Sequence, residues 1–220
     1  VSAAMPSPDA DANAATPSPD ADPSAPLPAF DAIVLAGGTA SRLDGVSKPD
    51  VELAGRRLLD HTLAATAGAG RVVVVAPESV AVPHGVVRTL EDPPHGGPVA
   101  GLAAGLAALD GHPAGGTGTA PLLLVLSCDV PFVAGAVPRL LAAAGEGADG
   151  ACLRDASGYL QWLVAVYRTD ALRGRLDALA SGRRGSSVRA LVAPLRLAAV
   201  AARGKEAADV DTWADLDALD

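Results

Sequence analysis

Gly37, Gly38, Arg42 and Lys48 stand in one short stretch of this chain, and together they have the chemistry to hold a polyphosphate. Paired glycines permit positive φ and let backbone N–H groups approach an anion without a Cβ in the way. Arginine grips phosphate oxygens with a planar fork, and lysine brings a mobile point charge, so the pair can neutralise a triphosphate and a departing pyrophosphate. The stretch is not a dinucleotide fingerprint, because it lacks the third glycine at its offset and carries basic residues in the loop. It is not a Walker loop, since Lys48 follows Ser47 and precedes Pro49.

Carboxylates supply the second half of the chemistry. Asp129 lies in Ser127-Cys128-Asp129-Val130-Pro131-Phe132, just past the apolar run Leu122 to Leu126. A carboxylate there suits Mg²⁺ that also binds phosphate oxygens, or it caps a following helix. Glu91-Asp92 leads into Gly96-Gly97-Pro98-Val99-Ala100-Gly101. A helix starting at Pro98 would aim its amides and positive dipole at an anion, although an ordinary turn reads the same way. His95 in that turn is read as a polar loop residue. Asp211, in Asp209-Val210-Asp211-Thr212, stands where it could cap the last helix. The four histidines are scattered and none has a triad partner.

These groups need a scaffold that carries loops at strand ends. Asp31 to Ala36 predicts a buried strand that stops at the two glycines. Further strands are expected at Arg71 to Ala76, Val86 to Leu90, Leu122 to Leu126 and Leu195 to Val200, and two extended pieces over Cys152 to Arg168 around a turn at Asp155 to Gly158. Helices are expected at Arg57 to Ala69, Pro98 to Leu109, Ala136 to Ala144, about Asp170 to Leu179, and from Thr212. Apolar strands alternating with helices predict a three-layer α/β sandwich with a mostly parallel, Rossmann-like sheet. Such sheets bind ligands at the carboxyl ends of their strands, where Leu35, Ala36 and Asp129 fall.

The chain has 220 residues, half of them hydrophobic, enough for one α/β core. Residues 1–29 are expected to be a disordered tail and 30–220 the folded domain. The tail repeats Pro6-Ser7-Pro8-Asp9-Ala10-Asp11 as Pro17-Ser18-Pro19-Asp20-Ala21-Asp22 and contains no lysine or arginine. It has neither the basic start nor the apolar run of an export signal. Apolar runs elsewhere are short and broken by Gly, Pro or charge, which excludes a spanning helix. Net charge is −8 and aromatics are few, so neither a nucleic-acid backbone nor a stack of bases is an expected partner. Cys128 and Cys152 read as small buried residues of a reducing cytoplasm.

Leu35-Ala36-Gly37-Gly38-Thr39-Ala40-Ser41-Arg42, with Gly45 and Lys48, resembles the opening of the molybdenum cofactor guanylyltransferases of the nucleotidyltransferase superfamily, whose loop runs Gly-Gly-x-x-x-Arg-Met-Gly-Gly-x-Asp-Lys. Leu43, Asp44 and Ser47 replace the family's Met, Gly and Asp. Asp44 would repel a triphosphate unless it turns to solvent. The resemblance implies a nucleotide-diphospho-sugar transferase type of fold and transfer of GMP from GTP to molybdopterin with Mg²⁺. It also implies transient contact with cofactor-synthesis proteins or molybdoenzymes.

By the same resemblance, Leu35, Ala36, Gly37, Gly38, Lys48, Asp92 and Asp129 bind nucleotide, and Arg42, Lys48 and Asp129 act in catalysis. Asp129 holds Mg²⁺ in the family's Cys-Asp-x-Pro motif, and Asp211, where guanylyltransferases have Asn, is a second ligand by analogy with related nucleotidyltransferases. A family Asn aligns with Val75, leaving only backbone there. Trp162 stands on a substrate-side strand where it could pack on a pterin, and Arg183 or Arg184 could grip the acceptor phosphate or form a solvated turn. Cytidylyltransferases resemble the chain too but open Leu-Ala-Ala-Gly, whereas this chain keeps the guanylyl pattern Leu-Ala-Gly-Gly. Guanylyl transfer to phospholactate is also compatible with these residues, as is a non-catalytic nucleotide-binding regulator.

Overall fold

The computed structural model of the chain describes residues 27–37, 46–111, 119–145 and 147–219. β1 (Phe30–Leu35) is buried along its whole length, as an apolar run between two layers must be. A 3₁₀ turn at Lys48–Asp50 leads to a small hairpin, β2 (Glu52–Leu53) and β3 (Arg56–Arg57), and then to α1 (Leu58–Ala64). There follow β4 (Val72–Val75), β5 (Val87–Thr89), α2 (Pro98–Gly111) and β6 (Leu122–Ser127). A second 3₁₀ turn precedes α3 (Val137–Ala143), and β7 (Gly150–Arg154) and β8 (Leu160–Arg168) come next. The chain ends in α4 (Thr169–Leu179), α5 (Val188–Val192), β9 (Leu197–Ala201) and α6 (Trp213–Leu219).

Seven strands form one sheet in the order β5-β4-β1-β6-β8-β7-β9. β5, β4, β1 and β6 run parallel, and β8 is inserted antiparallel between β6 and β7. This is the expected mostly parallel sheet. The chain winds one way from β1 to β4 and β5, then returns to place β6 on the other side of β1. That reversal makes the carboxyl ends of β1 and β6 the switch point at which an open sheet binds ligands.

Alternation along the strands sorts the core into two faces. Ala32, Val34, Val74 and Leu124 face α1 and α3, while Ile33, Val73, Leu123 and Val125 face α2, α4 and α5. α2 lies close on β1 because Gly105 has no Cβ; one placed there would stand 2.9 Å from Ile33 Cγ2. A smaller cluster of Val51, Leu53, Leu58 and Val210 fastens the C-terminal segment to the hairpin.

Two expectations shift. The helix expected over Arg57 to Ala69 is shorter, since Arg57 pairs with Glu52 in β3 and the last turns loosen beyond Ala64. Arg183 closes a 3₁₀ turn, Ala180–Arg183, with Arg184 just past it, and a separate short helix, α5, follows.

Candidate functional site

The loop after β6 is fixed from three sides. The Cys128 N–H donates to Leu35 O at 3.0 Å, Thr62 Oγ1 donates to Cys128 O, and the Val210 N–H donates to Asp129 O at 2.9 Å. Asp129 is thereby held at the switch point, between the β1 loop and the C-terminal segment. It does not cap the helix that follows: the 3₁₀ turn after it starts from Phe132 without a side-chain cap.

Lys48 enters from its own 3₁₀ turn, anchored by buried Pro49. Its ammonium donates to Asp129 Oδ2 at 2.8 Å and to Asp211 Oδ1 at 2.5 Å. Asp211 is presented by Val210, which is fully buried beside Leu53 and Leu58. The cap of α6 belongs to Thr212 and Asp215, whose side chains bond each other's backbone N–H in a reciprocal capping box. The Asp211 carboxylate faces the lysine instead.

Electrostatics of the cluster follow from its geometry. Burial works against the Lys48 charge, but Asp129 and then Asp211 outweigh it, so the ammonium titrates above the ordinary lysine value. Nearby Asp209 is pushed up, first by desolvation and further by the charges of Asp211 and Asp129. Two aspartates converging on one cation are hard oxygen donors suited to Mg²⁺, and the ammonium between them shows that the place accepts positive charge. Among the described residues no cluster of three or more His, Cys, Asp or Glu could hold a metal.

A cavity of about 340 Å³ opens beside Asp129, with Asp209, Trp162 and Arg189 on its wall. β8 shapes it. Consecutive residues Cys152 and Leu153 of β7 pair with Ala165 and Gln161, so Trp162 to Val164 bulge from that ladder. The buried Tyr167 hydroxyl pins the bulge by donating to Trp162 O at 2.6 Å. Bulges beside sites re-aim side chains in this way.

The structure brings Lys48, Asp129 and Asp211 together. Leu35 and Ala36 close β1 next to them, buried, with the Ala36 N–H on Val75 O. Gly37 is exposed, but its φ is not in the left-handed region, and a Cβ there would meet Val75 O at an ordinary 3.6 Å. The positive φ that glycine permits is not used at this position. Gly38, Arg42 and Asp44 lie outside the described residues.

Asp92 is exposed after β5, and no hydrogen bond among the described residues ties it to the lysine cluster; its neighbour Glu91 turns back to accept the Gly96 N–H at 3.0 Å. His95 is an exposed loop residue. Arg183 donates to Leu176 O and Asp177, and Arg184 to Pro93 O and Pro94 O, so both guanidiniums are already engaged. Arg189 and Asp209 were not singled out as site residues by sequence. Only the bulge and the short α5 bring Trp162 and Arg189 to one wall.

Residues 32–200 match the MobA-like NTP transferase domain. The chain belongs to this family. A curated molybdenum cofactor guanylyltransferase from Acidiphilium cryptum (strain JF-5) is 36% identical over 198 residues, 86% of this chain and 93% of the relative. Molybdopterin-guanine dinucleotide biosynthesis protein A from Archaeoglobus fulgidus superposes with a TM-score of 0.62 at 20% identity, covering 86% of this chain and 96% of that one. The 2-C-methyl-D-erythritol 4-phosphate cytidylyltransferase from Thermus thermophilus gives 0.63 at 22% identity, over 87% and 97%. These two share the fold, and in this MobA-like domain the Lys48–Asp129–Asp211 cluster sits at its switch point. No helix among the described residues is long and apolar enough to cross a membrane.

Proposed function

We propose that this protein transfers GMP from GTP to the terminal phosphate of molybdopterin and releases pyrophosphate, making molybdopterin guanine dinucleotide. The observation that carries the reading is the convergence of Lys48, Asp129 and Asp211 at the switch point of a MobA-like domain whose curated relative is named a guanylyltransferase.

An acceptor phosphate oxygen attacks the α-phosphorus of GTP as the bond from that phosphorus to the bridging oxygen breaks, and the electron pair leaves on pyrophosphate. No general base is needed, because a phosphate monoester with a second pKa of about 6 is mostly dianionic at neutral pH. Positioning and charge neutralisation are the protein's tasks. Lys48, on a flexible stem, exchanges its carboxylates for phosphate oxygens and neutralises the charge growing on the leaving group; Arg42 shares that task.

Asp129 and Asp211 would hold Mg²⁺, which would screen the phosphate oxygens of nucleotide and acceptor from one another. Leu35, Ala36, Gly37 and Gly38 seat the nucleotide, with Asp92 as a further nucleotide contact. Residues 30–220 form the catalytic unit, and its setting is a reducing cytoplasm where the product passes to molybdoenzymes by transient contact.

Pyrophosphate release by purified protein with Mg²⁺ and molybdopterin, compared across GTP, CTP, ATP and UTP, tests the reading. GTP-selective release supports it. CTP-selective release assigns the protein to cytidylyl transfer, with which Asp211 is also compatible, and nucleotide binding without release makes it a binding protein.

A further inference from the structure

An anionic acceptor meets a problem at this site. It must approach Asp129, with Asp209 and Asp211 close by and a triphosphate in place, so Coulomb repulsion opposes it from several sides. Lys48 is held by two of those carboxylates. Even with Mg²⁺ on Asp129 and Asp211 and Lys48 turned to the leaving group, as proposed above, a cation on the acceptor's own side would complete the charge balance.

Among the described residues lining the cavity, Arg189 is the one with positive charge. It stands on the first turn of α5, exposed, and its guanidinium has no hydrogen-bond or ion-pair partner among the described residues. Arg183 and Arg184, by contrast, are tied to carbonyls and to Asp177. Ser187 caps α5 by accepting the Ala190 N–H, which leaves its own hydroxyl proton able to donate into the same cavity. The bulged Trp162 and the exposed Tyr159 line the same cavity and offer aromatic surface for a planar body.

We propose that this cavity is the acceptor subsite and that Arg189, with Ser187, binds the acceptor's phosphate monoester while Trp162 seats its planar heterocycle. The inference rests on the reading that an anionic acceptor faces Asp129. A guanidinium suits the task because its fork grips two oxygens at once, and loss of such a contact typically weakens binding about 10- to 100-fold.

The test is isothermal titration of the full chain with a hydroxymethylpterin phosphate monoester and with the same pterin lacking phosphate, alongside steady-state kinetics with molybdopterin. For the parent protein the phosphorylated probe should bind at least about tenfold tighter. Arg189→Met, which keeps the aliphatic stem on an exposed position, should erase that preference and raise the acceptor KM about 10- to 100-fold while leaving the GTP KM within about twofold. Arg189→Lys should recover part of the loss.

The proposal is overturned if the parent does not prefer the phosphorylated probe, or if Arg189→Met leaves the preference or the acceptor KM unchanged. The two levels separate cleanly. Arg189-dependent probe binding without pyrophosphate release from any nucleotide sinks guanylyl transfer and keeps the subsite; guanylyl transfer with an unaltered acceptor KM in Arg189→Met does the reverse.

Discussion

The Lys48 ammonium lies between Asp129 and Asp211, 2.8 Å from one carboxylate and 2.5 Å from the other, although the partners are 81 and 163 residues away in sequence. Three separate segments thus meet on one charge. The lysine loop comes from β1, Asp129 from β6, and Asp211 from a tail stapled down by Val210.

Removing that charge should disable chemistry more than folding. Lys48→Met is expected to lower kcat about 10²- to 10³-fold, the scale of losing one charge-stabilising group. The urea midpoint should move little, because a partly exposed pair contributes little net stability. Single-turnover kinetics beside urea unfolding check this; a variant with near-normal kcat would remove Lys48 from the mechanism.

Asp31 predicts the opposite pattern. Its carboxylate is buried at the amino end of β1 and takes Arg71 Nη2 at 2.6 Å and the Ala120 N–H at 2.9 Å, away from the switch point. Asp31→Ala removes the buried carboxylate that takes both Arg71 and the Ala120 N–H, which should cost about 3–5 kcal/mol of stability. Activity per folded molecule should stay within about twofold of the parent. Denaturant unfolding with active-site titration measures both.

Acid should weaken the surface pair of Asp110 and Arg173. The Arg173 hydrogen bond holds Asp110 below the ordinary carboxylate value, helped by Thr119 Oγ1. A depressed folded pKa gives stability that is present above the unfolded value of about 4 and lost as pH falls through the folded one. Asp110→Asn should therefore lower stability by about 0.2–1 kcal/mol at pH 7. The gap should close on acidification and stay constant from about pH 5 to 8. Urea titrations across that range decide it.

Both thiols should be silent in the folded protein. Burial pushes Cys128 well above the ordinary thiol value, with the Asp129 charge adding to it, and burial alone does so for Cys152. Thiolate is the reactive form. A thiol reagent at pH 8 should label neither cysteine in native protein and both in denaturant; rapid native labelling of Cys128 would show that its loop opens.

Deleting residues 1–28 should leave kcat, both KM values and the unfolding midpoint unchanged. The Pro-, Ala- and Asp-rich composition cannot bury a core. A large loss of activity would make that segment part of the site.

Elements that bury both faces were plain in the sequence. The runs in β1, β4 and β6 have nowhere to go but the middle of a sheet, and Pro98 opens α2 where expected. Short pieces were not. The β2–β3 hairpin has two residues per strand and turns through Ala54 and Gly55, both at positive φ, where Ala gives no turn signal. α5 is five residues long, too short for periodicity to register.

The site divides along the same line. Gly37, Lys48 and Asp129 announce themselves by local pattern, whereas the pairing of Lys48 with Asp211 depends on Val210 finding Leu53 and Leu58 across the fold. Arg189 carries no motif. Its proposed role rests on its having no partner among the described residues and on the cavity that the β8 bulge helps to line.

The most direct test of the account follows the α-phosphorus. GTP labelled at that position, incubated with molybdopterin, Mg²⁺ and the full chain, should yield labelled molybdopterin guanine dinucleotide in step with pyrophosphate, and Asp129→Ala should reduce the yield at least about 10²-fold. Label that stays in GTP, or transfer that survives Asp129→Ala at the parent rate, would contradict it.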